Sequence, residues 1–190
     1  MTQQNKSSHK IRIIGGSLKR SLLPVANLEG LRPTPDRVRE SLFNWIDHLW
    51  QRQYSDKAVL DLFAGTGALG FEAVSRGAQY VQMVEPNAQA RAALRTFRDQ
   101  HQLQQIRIHS GDAMLVLSRM DASRFDLILL DPPFRQGYLQ QVKSYLPQIC
   151  KPGALIYTES EAFQEWHEPF ELLRHGKAGQ VYYQLFQLHS

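Results

Sequence analysis

Residues 58–70 read Ala58-Val59-Leu60-Asp61-Leu62-Phe63-Ala64-Gly65-Thr66-Gly67-Ala68-Leu69-Gly70. An apolar run of strand length passes through a glycine-bearing turn into a helical pattern. Gly65 and Gly67 let the backbone turn tightly and approach a ligand with no Cβ in the way. Gly65, Gly67 and Gly70 also satisfy the dinucleotide-binding spacing, so a nicotinamide-type Rossmann enzyme is one reading and a plain strand-to-helix turn another.

Outward from this turn the same rhythm repeats. Apolar runs at 59–63, 80–84, 106–109, 125–130 and 154–158 alternate with helical patterns at 68–76, 87–101, 112–119 and 137–148. Strand-helix alternation predicts an α/β fold, a Rossmann-like and mostly parallel sheet with helices on both faces. Two further strand-like runs, 170–174 and 181–188, flank Gly176-Lys177-Ala178-Gly179 and predict a closing antiparallel hairpin, seven strands in all.

Upstream, Ile11 to Ile14 and Leu18 to Leu23 flank Gly15-Gly16 and predict a small β-hairpin. Leu31-Arg32-Pro33-Thr34-Pro35 resists helix, since each proline restricts the residue before it. Thr34 or Asp36 then offers an N-cap for a helix over 35–50. The organisation expected is a flexible tail at 1–10, an N-terminal extension at 11–52 and a main domain at 53–190. Residues 1–52 carry 9 Lys and Arg against 4 Asp and Glu, a net +5, within a chain of net charge +4. A positive segment beside a near-neutral body suggests a polyanion engaged on one side, with Arg12, Lys19, Arg20, Arg32, Arg37 and Arg39 as candidate phosphate contacts.

Composition narrows the classes. At 190 residues with 43% hydrophobic and 21% charged, the chain has the balance of one globular domain with no room for a second large one. No apolar run approaches the length of a membrane span, and the polar N-terminus lacks the apolar core of a secretory signal, so a cytoplasmic location is expected; the chain is also expected to be a monomer. The lone Cys150 permits no intramolecular disulfide, and seven histidines without metal-ligand spacing predict no metal site.

Open parallel sheets bind ligands beyond the carboxyl ends of their strands, so the chemistry is expected at 61–67, 85–87, 110–113 and 131–134. Asp61, Phe63, Ala64, Gly65, Thr66 and Gly67 form the first such turn. Glu85 ends the second strand before Pro86-Asn87, where a carboxylate can accept hydrogen bonds from both hydroxyls of a ribose. A nicotinamide dinucleotide and S-adenosylmethionine both carry that ribose, and Glu85 does not choose between them. Asp112, followed by Ala113, either accepts from an adenine amino group or caps the next helix.

Asp131-Pro132-Pro133-Phe134 follows the fourth strand. Two consecutive prolines hold the backbone extended and rigid, making the Pro132 carbonyl and the Asp131 carboxylate neighbouring acceptors beside the flat Phe134 ring. That arrangement suits a planar group bearing an exocyclic amino nitrogen. It resembles the (D/N)PP(F/Y) motif of S-adenosylmethionine-dependent methyltransferases that modify conjugated amino nitrogens.

Together with Arg12-Ile13-Ile14-Gly15-Gly16, the stretch from Leu31 to Asn44 and the 61–70 turn, the sequence resembles the bacterial small-subunit ribosomal RNA (guanine-N2) methyltransferase family acting on guanine 966. The resemblance implies a class I methyltransferase fold and S-adenosylmethionine as cofactor. It also implies an RNA-binding N-terminal extension and an assembling 30S particle as partner. Asp131, Pro132, Pro133 and Phe134 are then the catalytic set. The tetrapeptide alone leaves adenine N6 of DNA or RNA open, and a noncatalytic RNA-binding protein on this fold is a third reading.

Overall fold

The computed structural model describes residues 11–24, 34–120 and 122–189. The chain runs β1 (Ile11–Arg12), β2 (Leu22–Leu23), α1 (Asp36–Leu49), β3 (Ala58–Asp61), α2 (Ala68–Ser75), β4 (Tyr80–Glu85) and α3 (Ala88–Gln100). It continues through β5 (Ile106–Ser110), α4 (Ala113–Leu117), β6 (Phe125–Leu130), α5 (Tyr138–Lys143), α6 (Leu146–Ile149), β7 (Cys150–Ser160), β8 (Phe170–Ala178) and β9 (Val181–Leu188).

Seven strands form one sheet in the order β5-β4-β3-β6-β7-β9-β8. The pairs β3–β4, β4–β5, β3–β6 and β6–β7 are parallel, and β9 lies antiparallel between β7 and β8. The chain builds outward from β3 to β5, then returns to lay β6 on the other side of β3. That reversal opens a crevice between the carboxyl ends of β3 and β6. The central strands are almost continuously apolar because both faces are covered. Val59, Leu127 and Leu129 face a cluster with Phe43 of α1, Phe71 of α2 and Phe97 of α3. Leu60, Ile128 and Leu130 face Leu117, Leu146 and Trp166 on the other side.

Ile11, Ile13 and Leu23 join the first of these clusters, so the N-terminal strand pair shares the sheet's core. Its polar attachment is Glu72, wholly buried in α2, whose carboxylate accepts the backbone N–H groups of Ile14 and Gly15 at 2.8 Å each and pairs with Arg76. The hairpin is much shorter than the sequence predicts. Gly15 and Gly16 lie in its connection, where the Gly16 carbonyl accepts the Lys19 N–H at 3.3 Å, and they also lie against the end of α2: a Cβ on Gly16, at φ +75°, would sit 1.8 Å from the Ser75 carbonyl oxygen. The glycine pair is a contact surface for a helix, a role that local turn rules do not reveal.

Three other expectations change. Helix α1 starts at Asp36 with Pro35 at its N-cap and no side-chain cap bond, so neither Thr34 nor Asp36 serves as the cap. The helix predicted at 137–148 divides into α5 and α6, because Pro147 has no N–H and its ring opposes the carbonyl four residues earlier. Strand β8 runs on to Ala178, and the hairpin turns at Gly179, at φ +61°, and Gln180. Gly176 is a strand residue pressed against the Tyr183 ring. No helix among the described residues is long and apolar enough to cross a membrane.

Candidate active site

The turns after β3, β4, β5 and β6 meet around one cavity of about 720 Å³ at the crevice, with Glu159 of β7 beside them. Asp61, Phe63, Ala64, Gly65, Thr66, Glu85, Pro86, Asn87, Asp112, Ala113, Asp131, Pro132, Pro133 and Phe134 all line it. Fourteen of the fifteen residues proposed for catalysis and cofactor binding thus converge. Gly67 is the exception: at φ +77° it caps α2, and a Cβ there would meet Leu94 and Phe71. Gly67 lets α2 pack closely, and it does not line the cavity.

Each acid is held by the backbone around it. Asp61 Oδ2 accepts the Gly70 N–H at 3.0 Å, fastening the end of β3 to α2. Glu85 Oε2 accepts the Gly65 N–H at 2.9 Å and Oε1 the Asn87 N–H at 2.8 Å, so one carboxylate ties two turns together. A carboxylate offers about four lone-pair sites, leaving Glu85 room for two hydroxyl donors. Asp112 performs the capping role weighed for it: Oδ1 accepts from Met114 N and Leu115 N. Asn87 likewise caps α3, accepting from Gln89 N and Ala90 N.

The sequence reading missed two residues that complete the floor of the site. Thr34, buried ahead of α1, places its hydroxyl 3.3 Å from Asp131 Oδ2 and 2.9 Å from Glu159 Oε1. Glu159, near the carboxyl end of β7, also accepts the Tyr157 hydroxyl at 2.9 Å. Glu159 obeys the strand-end rule that located Glu85 and Asp131, and applying the rule to the fifth core strand would have found it. Thr34 carried no such signal, since a threonine beside a helix start reads as a cap.

Asp61, Glu85, Asp112, Asp131 and Glu159 put five carboxyl groups around the cavity, and no Lys or Arg lines it among the described residues. Burial raises Asp61, with Glu85 adding to the rise against the Gly70 hydrogen bond, to about 7. Burial followed by the nearby Glu159 charge pushes Asp131 well above the ordinary carboxylate range, against the Thr34 hydrogen bond. Burial also raises Glu159, while the Tyr157 and Thr34 hydroxyls and the Arg39 guanidinium oppose the rise. A pocket lined by carboxyl oxygens with no cationic side chain among the described residues offers acceptors to N–H donors and cations.

Each of the three acids binds its proton more tightly folded than unfolded, so folding stability falls as pH rises from the ordinary carboxyl range through the raised values. For Asp61 that window runs from about 4 to about 7. The urea midpoint of the protein without ligand is expected to drop between pH 5 and pH 8, and Asp61→Asn to flatten part of that drop. A midpoint difference between wild type and Asp61→Asn that is constant across this range contradicts the assignment.

The candidate phosphate contacts divide. Lys19, Arg20 and Arg37 are exposed. Arg12 is exposed and pairs with Asp36 at 3.0 Å. Arg32 lies outside the described residues. Arg39 is a correction: it is fully buried, donating to the Arg12 carbonyl at 2.9 Å and to Asp36 at 2.6 Å, and has no surface to offer a phosphate. It instead ties β1 to α1 and supplies positive charge toward Glu159.

The sequence profile of the family described as Conserved hypothetical protein 95 matches residues 11–187. The chain belongs to this family. Ribosomal RNA small subunit methyltransferase D of Haemophilus influenzae is 36% identical over 194 residues, covering 97% of this chain and 97% of the relative. The protein of the same name from Escherichia coli strain K12 is 37% identical, covering 98% of this chain and 95% of its own length. Among solved structures, Escherichia coli yhhF aligns with a TM-score of 0.84 at 37% identity, covering 95% of this chain and 99% of that one. The Conserved hypothetical protein 95 match contains the whole cavity, from Thr34 to Val181.

Proposed function

We propose that this protein uses S-adenosylmethionine to methylate the exocyclic N2 of a guanine in small-subunit ribosomal RNA. By resemblance the target is guanine 966, and the substrate an assembling 30S particle. The observation that carries the reading is the placement of Asp131, Pro132, Pro133 and Phe134 on the same cavity as the Glu85-anchored turns. The names of the Haemophilus influenzae and Escherichia coli relatives support it. A dinucleotide fits this cavity poorly, since its two phosphates would meet five carboxyl groups with no cationic side chain opposite.

The residues present suit the cofactor. Glu85 keeps acceptor capacity for ribose hydroxyls, Asp112 stands on the same rim, and an acidic lining favours a sulfonium and an ammonium. When bound, S-adenosylmethionine supplies an electrophilic methyl carbon.

The protein's own work is on the amine. The N2 lone pair of guanine is delocalised into the ring, which makes it a weak nucleophile. Asp131 and the Pro132 carbonyl accept its two N–H bonds, draw the nitrogen toward pyramidal geometry and leave its lone pair available for in-line attack. Positive charge builds on that nitrogen in the transition state, and the Asp131 carboxyl stabilises it. Phe134 provides a stacking surface for a base taken out of its helix, a contact worth about 1–3 kcal/mol. Lys19, Arg20 and Arg37, on the exposed surface, are the contacts for RNA phosphates outside the acidic pocket.

The test is methyl transfer from labelled S-adenosylmethionine to small-subunit RNA, assembled subunits and duplex DNA, with the modified base mapped by mass spectrometry. N2-methylguanine at one position of the small-subunit RNA is expected. Label confined to adenine or to DNA contradicts the reading.

A further inference from the structure

The 131–134 turn accepts an amino group without regard to which purine carries it, because guanine N2 and adenine N6 each present two N–H bonds. Discrimination rests on the atom next to the amino carbon. Beside N2, guanine carries the N1–H donor; beside N6, adenine carries N1 as an acceptor. A second acceptor next to Asp131 therefore selects guanine.

Glu159 stands in that place. It lines the main cavity and also a smaller one of about 150 Å³, and Pro132 and Pro133 line both as well. The Thr34 and Tyr157 hydroxyls, each at 2.9 Å, both donate to Oε1, whereas Oε2 accepts from none of the described residues. Two donors on one oxygen fix the orientation of the carboxylate and leave the other oxygen for a ligand. Thr34 also lies 3.3 Å from Asp131 Oδ2, so one hydroxyl joins the two acids into a single acceptor surface. Burial raises Glu159, and the two hydroxyl donors and Arg39 oppose that rise.

We propose that Glu159 is the residue that selects guanine, its Oε2 accepting the N1–H of the base whose amino group Asp131 and Pro132 hold. The proposal rests on the methyltransferase reading above. An adenine in the same seat turns the lone pair of N1 toward a carboxylate and leaves both unpaired, a loss that polar sites punish strongly. In Glu159→Gln the two hydroxyl donors keep the amide oxygen at the Oε1 position, and the NH2 takes the place of Oε2. The acceptor becomes a donor.

The experiment uses the full chain and small-subunit RNA ligated so that the mapped target is either guanine or 2-aminopurine, which keeps the N2 amino group and lacks N1–H. Wild type is expected to prefer guanine in kcat/KM by about 10²-fold, the value of a hydrogen bond to a charged group. Glu159→Gln, with S-adenosylmethionine affinity measured by calorimetry, is expected to bring that preference to within a few fold. A preference unchanged in Glu159→Gln overturns the proposal, as does a wild type that does not distinguish the two bases. If Glu159→Gln fails to bind S-adenosylmethionine, Thr34→Val, which removes one of the two donors orienting the carboxylate, is measured in its place. A reduced preference supports the proposal and an unchanged one overturns it. Wild type that leaves guanine unmethylated instead refutes the underlying methyltransferase reading, and the two failures are thereby distinguished.

Discussion

Asp131→Ala is expected to lower kcat for methyl transfer by about 10²–10³-fold, the usual cost of deleting one preorganised group that stabilises transition-state charge. Affinity for S-adenosylmethionine should stay within a few fold of wild type, because Glu85 and Asp112, the acceptors proposed for the cofactor, line the cavity from other turns. The loss should lie in kcat more than in KM, since pyramidalisation of the amine belongs to the transition state. Asp131→Asn keeps an oxygen acceptor on the same backbone and should retain more activity than the alanine variant. Folding should not suffer, because Asp131 is a carboxyl raised by burial and by Glu159, an arrangement that costs stability. Single-turnover kinetics with calorimetric cofactor titration checks all of this; full activity in Asp131→Ala would remove the carboxylate from the mechanism.

Glu85→Ala should fail at an earlier step. Its carboxylate supports the turn at Gly65 and the turn at Asn87 and keeps lone pairs for the ribose proposed above. Two hydrogen bonds to a charged acceptor, at about 1.5–3 kcal/mol each, correspond to at least a 10²-fold loss of affinity for S-adenosylmethionine. The Gly65 and Asn87 N–H groups also lose their partner, so both turns should loosen. Glu85→Gln retains one oxygen for one of those N–H groups and should fall between alanine and wild type. Calorimetry measures the change directly; an alanine variant that binds S-adenosylmethionine within threefold of wild type would show that the ribose is held elsewhere. The two variants separate the halves of the site, one losing chemistry with binding intact and the other losing binding.

Much of this was readable in order along the chain. The alternation of apolar runs and helical patterns located the five strands β3 to β7, and the two runs flanking a Gly-rich turn located β8 and β9; the signal was plainest at the central strands, which are buried on both faces and so nearly continuously apolar. Asp61, Glu85, Asp112 and Asp131 stood out because each follows such a run, and an open parallel sheet gathers those ends on one edge. Local signals misled where a residue's partner was distant in sequence. Gly15-Gly16 marks the connection between β1 and β2, but nothing in it announces the contact with Ser75 of α2. Arg39 has the charge of a phosphate contact, yet a three-residue step along α1 brings it to Asp36 and turns it inward.

The amino-acid order alone determined the class of fold, the edge on which the strand-end acids gather and the place of the 131–134 turn on that edge, because periodicity and strand-end position are properties of neighbouring residues. Tertiary structure alone decided that Thr34 lies between Asp131 and Glu159, contacts that span 97 and 125 residues. It also decided that Arg39 is buried and that Gly67 serves helix packing. Such facts depend on which side chains exclude water from one another after the sheet closes, and no local pattern encodes them.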